Sequence, residues 1–159
     1  AVASQAMDSP RRYAKVRLVL WWPRDDRISW QALRMADVRH IAIAHPDHAP
    51  YGQRALQAIQ MQPDAEELIN KLVRGENVAQ ATQYVISGAA DAGLVARSLM
   101  TDTSGGQFVL IDEAMHEPLW QSAMVVAQAS APAAAQQFLS IAFSAEGQAT
   151  LTKYGFDLP

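Results

Sequence analysis

The 159-residue chain contains no cysteine, which excludes disulfide bonds, thiol catalysis and thiolate metal sites. It has no excess of positive charge, since 13 Lys and Arg stand against 16 Asp and Glu. Because no basic cluster with interleaved aromatics is present, we expect no nucleic-acid partner. No apolar run reaches the about 18 residues that a membrane-spanning helix requires. The first residues also lack the charged-then-apolar pattern of a signal peptide.

Hydrophobic residues are plentiful and distributed along the whole chain. They make up 50% of the 159 residues, enough to bury a substantial core. We therefore expect a globular protein of one domain, or of one domain with a fragment of a second.

Segments typical of strands alternate with segments typical of helices. Such alternation predicts an α/β fold with a parallel or mixed sheet covered by helices. The predicted strands are 16–22, 40–44, 71–73, 91–95, 107–111 and 119–127, and the predicted helices are 29–36, 51–61, 77–87, 132–143 and 145–154. Gly88 is expected to end one helix, and Ser29 and Ser144 are expected to cap two others.

A buried strand, a tight turn and a helix start follow one another twice. The first instance runs from strand 40–44 through His45-Pro46-Asp47-His48-Ala49-Pro50 to Tyr51-Gly52, and the second from 72–75 through Glu76 to Asn77. The N–H groups of a helix start lack internal partners and carry roughly half a positive charge. Two such starts directed at one place predict an oxyanion site that needs no cationic side chain.

Several ordered runs resemble the periplasmic molybdate-binding proteins of ABC transporters. They are 41–52 (Ile-Ala-Ile-Ala-His-Pro-Asp-His-Ala-Pro-Tyr-Gly), 71–81, 90–96 and the ending 144–148 with 154–156. The resemblance implies a type II periplasmic-binding-protein fold, in which two α/β lobes joined by two crossing strands close on a dehydrated oxyanion. It also implies that the N-terminal part of the first lobe has no counterpart here.

The resemblance divides the chain into three parts. Residues 1–22 would be an N-terminal segment and the first crossing strand. Residues 23–118 would form the second α/β lobe, a mixed sheet flanked by helices that carries half of the anion site. Residues 119–159 would supply the second crossing strand and the C-terminal helices of the first lobe. Trp21, Trp22 and Trp120 would then pack at the hinge.

The resemblance places the ligand on backbone groups of Tyr51, Gly52, Asn77 and Val78, and it aligns a family tyrosine hydroxyl with Val95. The implied ligand is molybdate or tungstate, with no cofactor and no catalytic residue. Neutral donors suit such a dianion because they leave no unpaired counter-charge buried. The implied partner is the membrane permease of an ABC importer, and the implied location is the periplasm.

A lobe without its N-terminal sheet would leave strand edges exposed, which predicts a possible homodimer formed by domain or strand exchange. An alternative function is a non-transport module, effector-sensing or protein-interacting, that has kept the fold and lost anion binding. An enzyme is disfavoured because no serine lies in a G-x-S-x-G elbow.

Other groupings of polar residues are expected to be solvated. His40, His45 and His48 form H-x4-H-x2-H, which we interpret as turn imidazoles and not as a metal site. The acid pairs Asp25-Asp26 and Glu66-Glu67 are expected in a turn and on a polar helix face. Arg97 is expected at the surface.

Overall fold

The computed structural model describes residues 9–23, 28–100 and 105–159, and these contain seven strands and five α-helices. The predicted acid pair at 25 and 26 lies outside the described residues. The strands are β1 (Arg11–Lys15), β2 (Leu18–Trp22), β3 (Ile41–Ala44), β4 (Leu72–Gly75), β5 (Ala92–Ala96), β6 (Gln107–Leu110) and β7 (Trp120–Ala123). The helices are α1 (Pro50–Gln60), α2 (Ala65–Asn70), α3 (Val78–Ser87), α4 (Pro132–Ala142) and α5 (Ala145–Lys153).

Contacts divide the chain into two compact units. The larger unit is Arg17–Leu119, and the smaller unit combines the chain up to Val16 with Trp120–Pro159. The sequence analysis placed a crossing strand over 16–22, and residues 17–22 of this segment belong to the larger unit. The reason is that β2 pairs inside that unit on both of its edges, with β5 and with β6.

The larger unit is built on a five-stranded mixed sheet in the order β4-β3-β5-β2-β6. β3 pairs in parallel with both β4 and β5, whereas β2 is antiparallel to both of its neighbours. Every residue of β2, β3 and β5 is buried. These runs are apolar throughout because both faces of the sheet are covered.

Two apolar clusters cover the two faces of this sheet. α1 packs on one face through Ala55, Ala58 and Ile59. α3 packs on the opposite face through Ala81 and Val85. The residues of β2 alternate between the clusters, with Leu18, Leu20 and Trp22 in the first and Val19 and Trp21 in the second.

The tryptophans pack within the units to which they belong. Trp21 is 1% exposed, and its Nε1 donates to the carbonyl of Gly105 at 3.0 Å. Trp22 is buried in the cluster on the α1 side of the sheet. In the smaller unit, the Arg12 guanidinium lies 4.8 Å from the centre of the Trp120 ring.

Several short-range predictions are confirmed, one predicted helix is wrong, and one helix was missed. Gly88 ends α3 with φ of 77°, and Ser144 caps α5 by accepting from Gly147 N at 3.2 Å. The helix predicted over 29–36 is only a 3-10 turn, Ala32–Arg34, because the backbone becomes extended at Met35. α2 was not predicted, because its six residues are too few to show an apolar period.

The smaller unit consists of the antiparallel pair β1–β7 followed by α4 and α5. β1 was missed by the sequence analysis because its residues, Arg-Arg-Tyr-Ala-Lys, are largely polar, and only Ala14 among them is buried. β7 is shorter than the predicted strand 119–127. Backbone hydrogen bonds in both directions join Lys15 to Asp157 at 2.7 and 2.9 Å, which fastens the C-terminal residues to β1.

Among the described residues, no helix combines the length and the apolar character that crossing a membrane would require.

One carboxylate holds the start of β3. Asp91 Oδ2 accepts from the amides of Arg39 at 2.8 Å and His40 at 2.9 Å. We predict that Asp91→Ala lowers the free energy of unfolding by about 1–3 kcal/mol, because two amides lose one charged acceptor. Asp91→Asn retains an oxygen at this place and should cost less. Urea denaturation of the three proteins checks this, and equal midpoints for wild type and Asp91→Ala would contradict it.

Candidate anion site at the carboxyl edge of the sheet

The parallel pairing of β3 with its two neighbours brings three strand ends to one edge of the larger unit's sheet. β3 continues into α1 and β4 continues into α3, and these helices cover opposite faces. Ligands of open α/β sheets bind at such a point, outside the carboxyl ends of the strands, where the connections switch faces. The predicted site residues of both turns therefore lie at one edge.

The start of α3 is organised by a reciprocal pair of side-chain hydrogen bonds. Asn77 Oδ1 accepts from Gln80 N at 2.9 Å, and Gln80 Oε1 accepts from Glu76 N at 2.6 Å. The pair satisfies the amide of Gln80, the third residue of α3. The amides of Val78 and Ala79, the first two residues, have no carbonyl partner within the helix. These two amides point out of the positive end of α3.

Gly75 allows α3 to begin very close to the end of β4. A Cβ atom at this position would lie 2.7 Å from the backbone N of Ala81. Any other residue would push the first turn of α3 away from the strand end. The position of the Val78 and Ala79 amides at the sheet edge thus depends on a glycine three residues before the helix.

The start of α1 has fewer amides to offer. Pro50 is the first helical residue and has no N–H, and Gly52 N donates to the carbonyl of Ala49 at 2.9 Å. The ring of Tyr51 packs against the apolar cluster on the α1 face. The role of Gly52 is spatial, because a Cβ there would lie 2.1 Å from the carbonyl oxygen of Ala44.

The two turns are tied together by backbone and side chains. His45 N donates to the carbonyl of Gly75 at 2.7 Å, and His48 Nε2 lies 3.3 Å from Glu76 Oε2. The rings of His45 and His48 are stacked, with centroids 4.7 Å apart. His40 precedes β3 at the opposite end of the strand. Across 9–23, 28–100 and 105–159, no group of three or more His, Asp or Glu is arranged to hold a metal ion.

Val95 is not at the rim of this edge. It is fully buried, faces the α3 cluster and pairs with Val19. The last residue of β5 is Ala96, so Ala96 lies closer to the edge than the aligned Val95. Arg97, which follows it, is partly buried, with its guanidinium 4.5 Å from the centre of the Phe108 ring.

The structure thus brings Tyr51, Gly52, Asn77 and Val78 to one edge and leaves Val95 in the core. Two contributors, Ala79 and Gln80, were missed by the sequence analysis. The spacing of Asn77 and Gln80 is that of a capping box, which is the signal that could have identified Gln80.

Comparisons with known proteins place the chain among bacterial binding proteins. A family model described as bacterial extracellular solute-binding protein matches residues 1–157. The molybdate-binding protein ModA of Rhodobacter capsulatus is 32% identical over 145 residues, which are 91% of this chain and 58% of the relative. ModA of Azotobacter vinelandii is 30% identical over 92% of this chain and 60% of the relative. The chain therefore spans about 60% of the length of the curated relatives that it matches.

A solved structure is also similar to this chain over almost the whole of its length. The Azotobacter vinelandii periplasmic molybdate-binding protein superposes with a TM-score of 0.87 and 28% identity. The match covers 99% of this chain and 71% of that protein's chain.

Gly52 offers a test of how α1 is held at the edge. We predict that Gly52→Ala destabilises the protein by about 1–3 kcal/mol, because the new methyl group overlaps the Ala44 carbonyl. The neighbouring Gln53→Ala alters an exposed position on the same helix and should change stability little. Thermal and urea unfolding of both variants measure the difference. Equal stability of the two would show that α1 is not constrained there.

Proposed function

The chain belongs to the bacterial extracellular solute-binding protein family, and we propose that it binds a tetrahedral oxyanion, molybdate or tungstate, at the carboxyl edge of the larger unit's sheet. The observation that carries this proposal is the start of α3, where capping leaves the Val78 and Ala79 amides directed outward. The names of the two curated relatives point to the same ligand class. The fold is that of the type II periplasmic binding proteins, as the resemblance implied.

Backbone amides suit this ligand for a physical reason. A dianion held by neutral donors keeps strong charge-assisted hydrogen bonds, and no cationic side chain has to be buried with it. The positive end of α3 adds a favourable field within the first turn. The nearby carboxylate of Glu76 is paired with His48 at 3.3 Å, which offsets its repulsion of an anion when the imidazole is protonated.

The edge also suits binding better than catalysis. The groups proposed to hold the anion are backbone amides, a capping asparagine and a glutamine, and none of these serves as a nucleophile or a general base. His48 and Glu76 also lie in these turns, and they pair with each other at 3.3 Å. Holding an anion is the chemistry that these groups support. We extend this to the role of a periplasmic substrate-binding component that delivers the oxyanion to the permease of an ABC importer.

The larger unit supplies only part of the donor set in this proposal. The chain matches 58% and 60% of the length of its two curated relatives, and their unmatched part would supply the remaining donors. We therefore expect the chain alone to bind molybdate more weakly than a full-length relative does.

A single substitution can remove one proposed donor without disturbing the helix. Val78 is the first residue of α3, the position at which proline is best tolerated, and Asn77 before it is extended, as a residue before proline should be. We predict that Val78→Pro weakens molybdate binding by about 10- to 100-fold, the value of one hydrogen bond to a charged ligand. Isothermal titration calorimetry with sodium molybdate measures this.

Val78→Ala is the matched control, because it shortens the same side chain and keeps the amide. Tungstate should bind like molybdate, and sulfate at matched ionic strength should bind more weakly. Equal binding by Val78→Pro and Val78→Ala would show that the anion does not use this amide. Titrations of the wild type without heat for any of the three anions would contradict the proposed function and favour a protein-interaction module.

A further inference from the structure

The five-stranded sheet of the larger unit has two edge strands, β4 and β6, which differ in how they are protected. A sheet edge carries unpaired backbone groups that can pair with another chain, and natural proteins protect such edges with charged residues or proline. β4 contains Arg74 and directly follows Lys71. β6 (Gln-Phe-Val-Leu) contains neither a charged residue nor a proline. The β6 edge therefore lacks the protection that β4 has.

The hydrogen-bond register shows which backbone groups of β6 point outward. Ile111 N donates to the carbonyl of Leu18 at 3.0 Å, and the register of β6 with β2 continues from there without a shift. Residues of antiparallel strands alternate between pairs that exchange hydrogen bonds and pairs that do not. Val109 therefore also bonds to β2, and the amides and carbonyls of Phe108 and Leu110 point away from the sheet. Within the part of the chain that the structure describes, these outward groups have no hydrogen-bond partner.

The side chains of β6 are apolar and exposed on both faces of the sheet. Phe108 and Leu110 lie on the α3 face and Val109 lies on the α1 face, as their partners in β2 do. Their exposed fractions are 38%, 47% and 45%, although every residue of the neighbouring β2 is buried. An apolar strand with an open edge and two open faces indicates a surface that another strand covers.

We propose that β6 pairs antiparallel with β6 of a second copy of this chain, which joins the two five-stranded sheets into one. In one register, Phe108 of each copy lies opposite Leu110 of the other and exchanges hydrogen bonds with it. Val109 then lies opposite Val109 of the second copy, on the two-fold axis. This register satisfies all the outward groups of both strands. The pairing exchanges no strand between the copies, unlike the strand exchange predicted from the sequence.

Self-complementarity identifies a second copy as the occupant, and the neighbouring charges permit it. The antiparallel arrangement puts the two copies of Asp112, which follows β6, at opposite ends of the paired strands. The Arg97 guanidinium lies 4.5 Å from the centre of the Phe108 ring, on the face opposite to the Val109 side chain. Pairing thus buries apolar side chains and does not place like charges opposite each other.

The oligomeric state of the chain tests the pairing first. An interface of four residues from each copy is small, so we expect a weak dimer with a dissociation constant between about 10 µM and about 1 mM. Sedimentation equilibrium across this concentration range should show an average mass that rises from 17.4 kDa toward twice that value. Hydrogen exchange of the Phe108 and Leu110 amides should slow as concentration rises, whereas the Val109 amide, already bonded to β2, should change little.

Val109→Lys and Val109→Glu test the register. Each variant alone places like charges opposite each other at the axis, so each should raise the dissociation constant by at least about tenfold. An equal mixture of the two should recover association, because opposite charges then face each other. Ile86→Lys is the matched control, since it adds the same charge at an apolar residue of the larger unit that is 50% exposed on α3. It should leave the dimer unchanged, and thermal melts check that all three variants fold.

Three results would overturn the inference. One is sedimentation as a monomer throughout this concentration range. The second is a dimer that Val109→Lys and Ile86→Lys affect equally, which would place the contact elsewhere on the chain. The third is an equal mixture of the two Val109 variants that stays monomeric, which would exclude the register in which Val109 faces its own copy. The measurements contain no molybdate, so they are independent of the proposed anion site.

Discussion

The parallel pairing of β3 with a strand on each side is the constraint on which the larger unit depends. Parallel neighbours cannot be joined by a tight turn, so each connection crosses over the sheet and brings a helix with it. α1 and α3 consequently cover opposite faces, and the apolar runs of β3 and β5 are buried on both sides. The same pairing gathers the strand ends, and with them the helix starts, at one edge.

The two helix starts at this edge look alike in sequence but differ in chemistry. At the start of α1, Pro50 has no N–H and Gly52 N already donates to the carbonyl of Ala49, so few amides there remain for a ligand. Asn77 and Gln80 satisfy only the third amide of α3 and hold the turn before it in place. Glycine serves both helices by removing a Cβ that would collide with backbone. The edge is therefore close-packed on the α1 side and donates hydrogen bonds on the α3 side.

The two units differ in how much of a hydrophobic core each contains. The larger unit buries whole strands and three residues of α3, as a self-sufficient α/β layer should. The smaller unit has a two-stranded sheet and two helices without buried residues. A small unit buries a smaller fraction of its surface on folding than a large one does. The chain matches 58% and 60% of the length of its two curated relatives.

The sequence by itself determined what depends on neighbouring residues: the alternation of strands and helices, the ends at Gly88 and Ser144, and the family to which the chain belongs. Only the tertiary structure decided that β2 lies inside the larger sheet, that Val95 faces the core and that Gly52 packs on Ala44. The physical reason is the separation along the chain of the residues that interact. Caps and apolar periods act within one turn of helix or a few residues of strand, whereas strand order and the burial of a particular side chain depend on contacts between residues far apart in the chain.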